Sequence, residues 1–405
     1  MINEKINILG IDILTLDKQE IENKLVGFLH SNQANLIITA NPEIILQAQA
    51  DEEYFYIINR YSQLVIADGM GLKLAALSQG INLYRYPGVE LTEFLLQKAE
   101  VENHKVGILL WQDGLTNCQE VEKMIKKKYP KLNYLCLAIE RSIYQELDKR
   151  LDEFSPAIIF VTLGAPWQEK FIFHQLLRKN YLKISIGVGG VFDFFCNKIK
   201  RAPKALRMLG LEWIWRLLQQ PRRIKRIYQA TFIFSLKYLQ WRFILPFLYR
   251  PNVVCLLYKK EGEKYKILLV RRSDLEEDHW QLPQGGLDKL SIAQAGRKEL
   301  EEETHALNFK TIATFSNLYK YEFGSRGEQL SYVVAGKKHC GYRGQQQSLY
   351  IAEFTGQDQE IKVNYWEHNG WQWVDSENFL TAVHPIRRTG CKIYFDKFKE
   401  VAMSS

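Results

Sequence analysis

Leu36-Ile37-Ile38-Thr39-Ala40-Asn41-Pro42-Glu43-Ile44-Ile45-Leu46-Gln47-Ala48-Gln49-Ala50 is the stretch whose reading decides the fold. A β-branched apolar run ends at Thr39, and an amphipathic run opens at Pro42. Asn41 suits a helix cap, and proline suits the first helical position because its missing N–H has no partner to lose there. The stretch therefore reads as strand, tight turn, helix.

The same grammar recurs on both sides. Strand-like runs fall at residues 6–9, 64–66, 105–110, 157–162 and 184–188, with amphipathic helical runs at 20–30 and 119–128. Strands alternating with helices give an α/β fold, here a Rossmann-like, mostly parallel sheet with helices on both faces. Ligands of such sheets bind where strands end and loops begin. The pattern changes near Pro246 and Pro251, which bracket a linker at 246–251. Beyond it a hairpin (253–258 and 265–270), a helix (291–304) and strands at 329–334, 349–354 and 370–374 form α+β grammar. The expected domains are 1–245, with a basic appendage over about 211–245, and 252–405.

Composition narrows the function classes. Hydrophobic residues make up 46% of the chain, enough for ordinary cores. The six cysteines form no C-x-x-C pair, which argues against a zinc knuckle or disulfide framework and for reduced thiols in a cytosolic protein. The N-terminus shows no signal peptide. The greasy stretch 231–249 holds Lys237 and Arg242, which makes it a poor membrane span. The net charge of +8 is uneven. Lys198, Lys200, Arg201, Lys204, Arg207, Arg216, Arg222, Arg223, Lys225 and Arg226 crowd one segment in which Glu212 is the sole acid. Such a cluster suits an anionic partner, phosphate, nucleic acid or acidic lipid; its bland alternative is a solvated helix face.

Four strand-end motifs carry the candidate chemistry of the first domain: Thr39–Pro42, Asp68-Gly69-Met70-Gly71, Gly164-Ala165-Pro166-Trp167-Gln168-Glu169, and Gly187 to Asp193. Asn41 and Asp68 each have a plain capping role available. No clean G-x-G-x-x-G opens a helix, so dinucleotide binding is not supported. With Arg85-Tyr86-Pro87-Gly88-Val89-Glu90, Lys200-Arg201-Ala202-Pro203 and Leu209-Gly210-Leu211-Glu212-Trp213, the set resembles the WecG/TagA/CpsF glycosyltransferases over about residues 5–230.

The resemblance implies an inverting transfer of an N-acetylmannosamine-type sugar from a UDP donor to an undecaprenyl-diphosphate-linked acceptor, for a cell-surface polysaccharide or teichoic acid. It matches Asp68 to the general base, and Thr39, Asn41, Arg85 and Gln168 to the pocket, with Gly189 and Asp193 beside them. Its basic appendage touches the membrane. No D-x-D metal motif occurs in residues 1–245, so no cofactor is expected there, and Arg216, Arg222, Arg223 and Arg226 are expected to neutralise the diphosphate. Trp213, Trp215, Phe232, Phe234, Tyr238 and Trp241 interleave with the cations as an interfacial belt would; the alternative is a core helix turning them inward. The expected location is cytoplasmic, peripheral to the inner face of the membrane, with homo-oligomerisation left open. One departure is Trp111-Gln112-Asp113-Gly114, where the family often has Gly-Gly, which loosens the donor assignment.

Residues 252–400 resemble a Nudix hydrolase domain, through Trp280-Gln281-Leu282-Pro283-Gln284-Gly285-Gly286 and Lys298-Glu299-Leu300-Glu301-Glu302-Glu303-Thr304. Glu299, Glu302 and Glu303 share one helix face and are the candidate Mg2+ ligands, with a nucleotide as substrate or bound partner; otherwise they form a solvated acidic face. The box is degenerate. It is one residue short from Gly285 to Lys298, Leu290 replaces an acid, Lys298 replaces an arginine and His305 replaces the closing glycine. The alternative functions are Nudix hydrolysis of nucleoside diphosphates or RNA 5′ ends, or nucleotide or RNA binding, with the first domain as membrane anchor.

Overall fold

The computed structural model describes residues 5–140, 145–203, 205–206, 210–221, 224–273, 278–323 and 341–403. The chain divides into two compact units, Met1–Leu239 and Gln240–Ser405.

The first unit opens with a hairpin of β1 (Lys5–Ile8) and β2 (Ile11–Leu14), paired antiparallel and separate from the main sheet. The run at 6–9 is thus a strand, but not one of the parallel series. The main sheet comprises β3 (Asn35–Ala40), β4 (Ser62–Ala67), β5 (Val106–Trp111), β6 (Tyr134–Ile139), β7 (Ile158–Val161) and β8 (Ile184–Gly187). Their order is β4-β3-β8-β7-β5-β6, and every pairing is parallel. β6, at the edge, escaped the strand pattern above. It is half-exposed and so lacks the clean alternation that marks a strand facing water on one side.

Helices α1 (Lys18–Leu29), α2 (Pro42–Ala48), α3 (Glu52–Tyr56), α4 (Met70–Leu77), α5 (Gly88–Val101), α6 (Cys118–Lys128), α7 (Gln145–Phe154), α8 (Trp167–Phe171) and α9 (Val191–Phe195) connect the strands. One apolar cluster joins Leu25, Ile37, Ile66, Leu95, Ile108, Phe160 and Ile186 across strands and helices. Because β3, β4, β7 and β8 are parallel neighbours, their carboxyl ends share one edge. The appendage follows as α10 (Glu212–Gln219), α11 (Ile224–Tyr228), a wide turn Gln229–Ile233, and α12 (Phe234–Leu239). No described helix is long and apolar enough to cross a membrane.

The second unit is a mixed sheet of β9 (Tyr249–Glu261), β10 (Lys264–Arg272), β11 (Trp280–Gln281), β12 (Gln284–Gly286), β13 (Phe309–Glu322), β14 (Gly344–Phe354) and β15 (His368–Asp375). β9 and β14 pair in parallel and the other pairings are antiparallel. Residues 246–251, expected as a linker, hold a short turn and then enter β9 at Tyr249, opposite Gly344. The strand expected at 329–334 lies outside the described residues. Helix α13 (Ile292–Thr304) covers one sheet face through Ala295 and Leu300, and α15 (Arg388–Phe398), which follows α14 (Phe379–Ala382), covers the other through Tyr394, Phe395 and Phe398.

Helix α13 sits close because Gly296 has no side chain. A Cβ there would stand 2.3 Å from Cγ of Tyr350, which is fully buried. Gly296→Ala is therefore expected to cost about 1–3 kcal/mol through overpacking. The check is the urea midpoint of the second unit's transition, which falls; an unchanged midpoint contradicts the close approach.

Candidate active site

The loops after β3 and β4 meet because two glycines permit it. A Cβ on Gly69 would lie 2.6 Å from Cδ of Pro42, and one on Gly71 2.8 Å from its Cγ. The Asp68 N–H donates to the Ala40 carbonyl at 2.8 Å, which ties the two strand ends together. Asn41 caps α2, its Oδ1 accepting from Ile44 N at 3.0 Å. Thr39, on the last turn of β3, is buried.

Asp68 caps no helix. Gly69 occupies the cap of α4 without a side-chain bond, and Asp68 Oδ1 accepts instead from Gly88 N, at the start of α5, at 3.3 Å. Asp68 is half-buried at the carboxyl ends of the strands. Loss of water around it raises its pKa above the usual carboxylate range. Arg216 pulls in the opposite direction, Glu212 pushes further up, and Arg85 and the Gly88 N–H again pull down.

Glu212 and Arg216 belong to α10, so the appendage folds back to the carboxylate. Arg216 donates to Glu212 Oε1 at 3.1 Å and lies 5.3 Å from the centre of the Phe194 ring, while its buried Nε has no partner. Glu212 was missed as a site residue; its signal was its isolation among ten cations. The bland alternative for the charge run, a solvated face, fails at Arg216 and holds at Arg226. There the guanidinium forks onto Glu43, 2.8 and 2.9 Å, on an exposed surface. Such a pair contributes on the order of 0.5 kcal/mol and leaves Arg226 pinning the appendage to α2, away from the expected anion role. Arg222 and Arg223 lie outside the described residues.

Two further expected pocket residues serve the loops. Gln168 is buried, its Oε1 accepting from Gly164 N and Gly189 N at 3.1 Å each and its Nε2 donating to Glu169 Oε1 at 2.7 Å. Gly189 holds φ +50° in the loop after β8. Asp193 accepts from Thr116 Oγ1 at 2.7 Å and so ties the loop after β5, containing Gln112 and Asp113, to α9. The amide and the carboxyl are thus turned to protein partners.

The aromatic belt is corrected in part. Phe234 and Tyr238 point inward. Phe234 packs on Gly71, and the Tyr238 hydroxyl donates to Ala75 O at 2.7 Å with Ser78 Oγ 2.6 Å away. Trp241 falls in the second unit. Trp213, Ile224, Tyr228, Phe232, Leu236 and Leu239 are exposed, as are Leu74 and Leu77 of α4.

A model described as the Glycosyl transferase WecG/TagA/CpsF family matches residues 6–246. The chain belongs to this glycosyltransferase family. Two relatives named N-acetylglucosaminyldiphosphoundecaprenol N-acetyl-beta-D-mannosaminyltransferase come from Staphylococcus aureus strains MRSA252 and MW2. They are 36% and 35% identical over 236 and 237 residues, 55% of this chain and 88% of theirs. A model described as the NUDIX domain matches residues 248–390. Among solved structures, a C. elegans Ap4A hydrolase binary complex is 18% identical and covers 37% of this chain and 96% of that one, with a TM-score of 0.27. The NUDIX domain of Shewanella oneidensis NrtR is 16% identical and covers 38% and 90%, with a TM-score of 0.26.

The glutamates expected to bind Mg2+ in the Nudix unit are not gathered. Glu302 is exposed and pairs with Lys298 at 3.3 Å. Glu299 lies against Gly285, where a Cβ would stand 1.9 Å from its Oε2. Glu303 is buried and engaged by His368 Nε2 at 3.0 Å and Gln284 N at 3.3 Å. The shortened loop takes Asp288 and Lys289 to φ +42° and +66°, and His305 sits at +54°, conformations that cost a side-chain-bearing residue about 1 kcal/mol each. Among the described residues, the ligand atoms that do converge, within 4.8 Å of one another, are on Glu303, Glu367 and His368. The expected carboxylate set therefore does not fit the ion as this chain arranges it.

In the transferase unit, burial lifts Glu169 to about 7, with the Gln168 amide opposing. An unfolded glutamate titrates near 4.3. Its stabilising contribution is complete below that pH and is lost as pH rises through about 7, a swing of about 4 kcal/mol. Unfolding free energies of wild type and Glu169→Gln between pH 4 and 8 check this: wild type loses ground with rising pH. Parallel curves contradict it.

Proposed function

We propose that the first unit moves N-acetylmannosamine from a UDP donor to N-acetylglucosaminyl-diphospho-undecaprenol, with inversion, at the cytoplasmic face of the membrane. The substrates are those in or implied by the relatives' name and the family resemblance. The observation that carries the chemistry is Asp68: a half-buried carboxyl at the carboxyl edge, bound by one backbone N–H and influenced by Arg216, Glu212 and Arg85.

An inverting displacement requires a base on the acceptor hydroxyl while the nucleotide leaves the opposite side of the sugar. A carboxylate with a raised pKa is better matched to that proton than an ordinary surface aspartate. Arg216 and Arg85 supply positive charge at the same edge, where a departing diphosphate builds up negative charge. Asn41 and Thr39, one strand away, suit the sugar hydroxyls. Arg222 and Arg223 remain candidates for the diphosphate from sequence alone.

The apolar surface on α4, α11 and α12 suits a lipid-borne acceptor. Exposed rings and leucines beside Lys225 and Lys237 match the headgroup boundary. For the Nudix unit we favour nucleotide binding over hydrolysis. Tyr319, Tyr321 and Phe323 line a cleft with Arg387 and Gln347, a setting for a planar base, while the glutamates are engaged elsewhere.

UDP release from UDP-N-acetylmannosamine with the lipid-diphosphate acceptor tests the transfer. Asp68→Asn is expected to lower it ~10²–10⁴-fold. Wild-type protein that releases no UDP with this pair overturns the reading. Separately, the double variant Phe232→Glu, Leu236→Glu is expected to lose most co-sedimentation with anionic vesicles while keeping turnover on a short-chain soluble acceptor. Unchanged sedimentation contradicts the docking surface.

A further inference from the structure

The Gln168 amide is the junction of the loops after β7 and β8. One oxygen accepts two backbone N–H groups, Gly164 and Gly189, from loops adjacent in the sheet order. The approach is tight: a Cβ on Gly187 would stand 2.4 Å from Gln168 Nε2. An amide can occupy such a place in two orientations, and only one works. If it flipped, its NH2 would face two N–H donors and both loop bonds would be lost.

What fixes the orientation is the neighbouring carboxyl. Glu169 is buried, and its Oε1 accepts from Gln168 Nε2 at 2.7 Å. On its other side Glu169 meets the buried hydroxyl of Tyr54 on α3. The two are close enough to bias each other's protonation. Asp51 and Glu43 also act on Tyr54, and Lys170 pairs with Asp51 at 2.8 Å and Glu53 at 2.7 Å.

We propose that Glu169 is a positioning residue for the transfer: by accepting from Gln168 it holds that amide in the one orientation that shapes the Gly164 and Gly189 loops for the donor nucleotide. The proposal rests on the reading of this edge as the UDP-sugar site. Glu169 touches no substrate. It acts through Gln168, and Tyr54 backs it from α3. Any side chain offering an acceptor at the same place does the same work, so charge is dispensable and hydrogen-bond polarity is not.

The test uses the full chain, UDP as the calorimetric probe, and initial rates with the donor varied. Glu169→Leu is expected to raise the UDP Kd and the donor KM about tenfold, the scale of a loop displaced by a fraction of an ångström, and to leave the acceptor KM unchanged. Glu169→Gln, which still presents an acceptor, is expected to stay within twofold of wild type. The exchange of partners is decisive and does not depend on the leucine variant folding. Gln168→Glu alone sets two carboxyls face to face and weakens UDP binding, and adding Glu169→Gln restores it, because the donor and acceptor have merely changed places. Glu169→Leu that melts earlier but binds UDP as wild type does, or an exchange that fails to recover, overturns the proposal. Wild-type protein that does not bind UDP overturns the donor-site reading and this inference together. Wild type that binds UDP beside an equally competent leucine variant overturns this inference alone.

Discussion

The whole carboxyl edge depends on the absence of a side chain at residues 69 and 71. Pro42 fills the space that a Cβ at either position would need, and the Asp68 N–H reaches the Ala40 carbonyl only because the two strand ends can close. That closure frees Asp68 from capping α4 and turns its carboxyl to Gly88. Gly71 has a second role. It leaves room for Phe234, which together with Tyr238 anchors the appendage on α4. The same small residue thus seats Asp68 and the segment of chain that carries Arg216.

Electrostatics at this edge are a balance of opposing effects. Loss of water lifts Asp68, Arg216 and Arg85 restrain it, and Glu212 offsets part of their pull. A fully buried aspartate without cations would stay protonated and could take no proton, while one fully paired with arginine would be too weak a base. Arg216 bonds Glu212, lies 5.3 Å from the centre of the Phe194 ring, and has a buried Nε with no hydrogen bond among the described residues.

Much of the parallel sheet was legible because β3, β7 and β8 are buried on both faces and read as continuous apolar runs. The edge strand β6, with only Leu137 and Ile139 buried, was not, and the hairpin at the start looked like the strands around it. At the site, strand-end placement singled out Asp68, Asn41 and Gln168, and the structure sets all three in loops at the carboxyl edge of the sheet. It could not tell whether Gln168 faces a ligand or the loops, because that depends on two N–H groups from distant glycines. Glu169 and Glu212 were passed over for a related reason: a buried acid next to a glutamine, and a lone acid among cations, gain meaning only through neighbours supplied by folding. Phe234 and Tyr238 read as part of an interfacial belt, with a core helix as the alternative, and only the surface of α4 decided which way they turn. In the second unit the spacing of Glu299, Glu302 and Glu303 was read correctly as one helix face. The shortened loop, Lys298 and His368 then drew them to separate partners.

Loss of water holds the Asp68 carboxyl above its ordinary pKa at the carboxyl edge of the sheet, and Arg216 restrains it. The most direct measurement is a carbon-13 titration of the Asp68 side-chain carboxyl in wild type and in Arg216→Met. The account predicts a wild-type midpoint above the ~3.9 of a free aspartate, moving higher still when the guanidinium is removed. A midpoint at or below the free value, or one indifferent to Arg216, would contradict it.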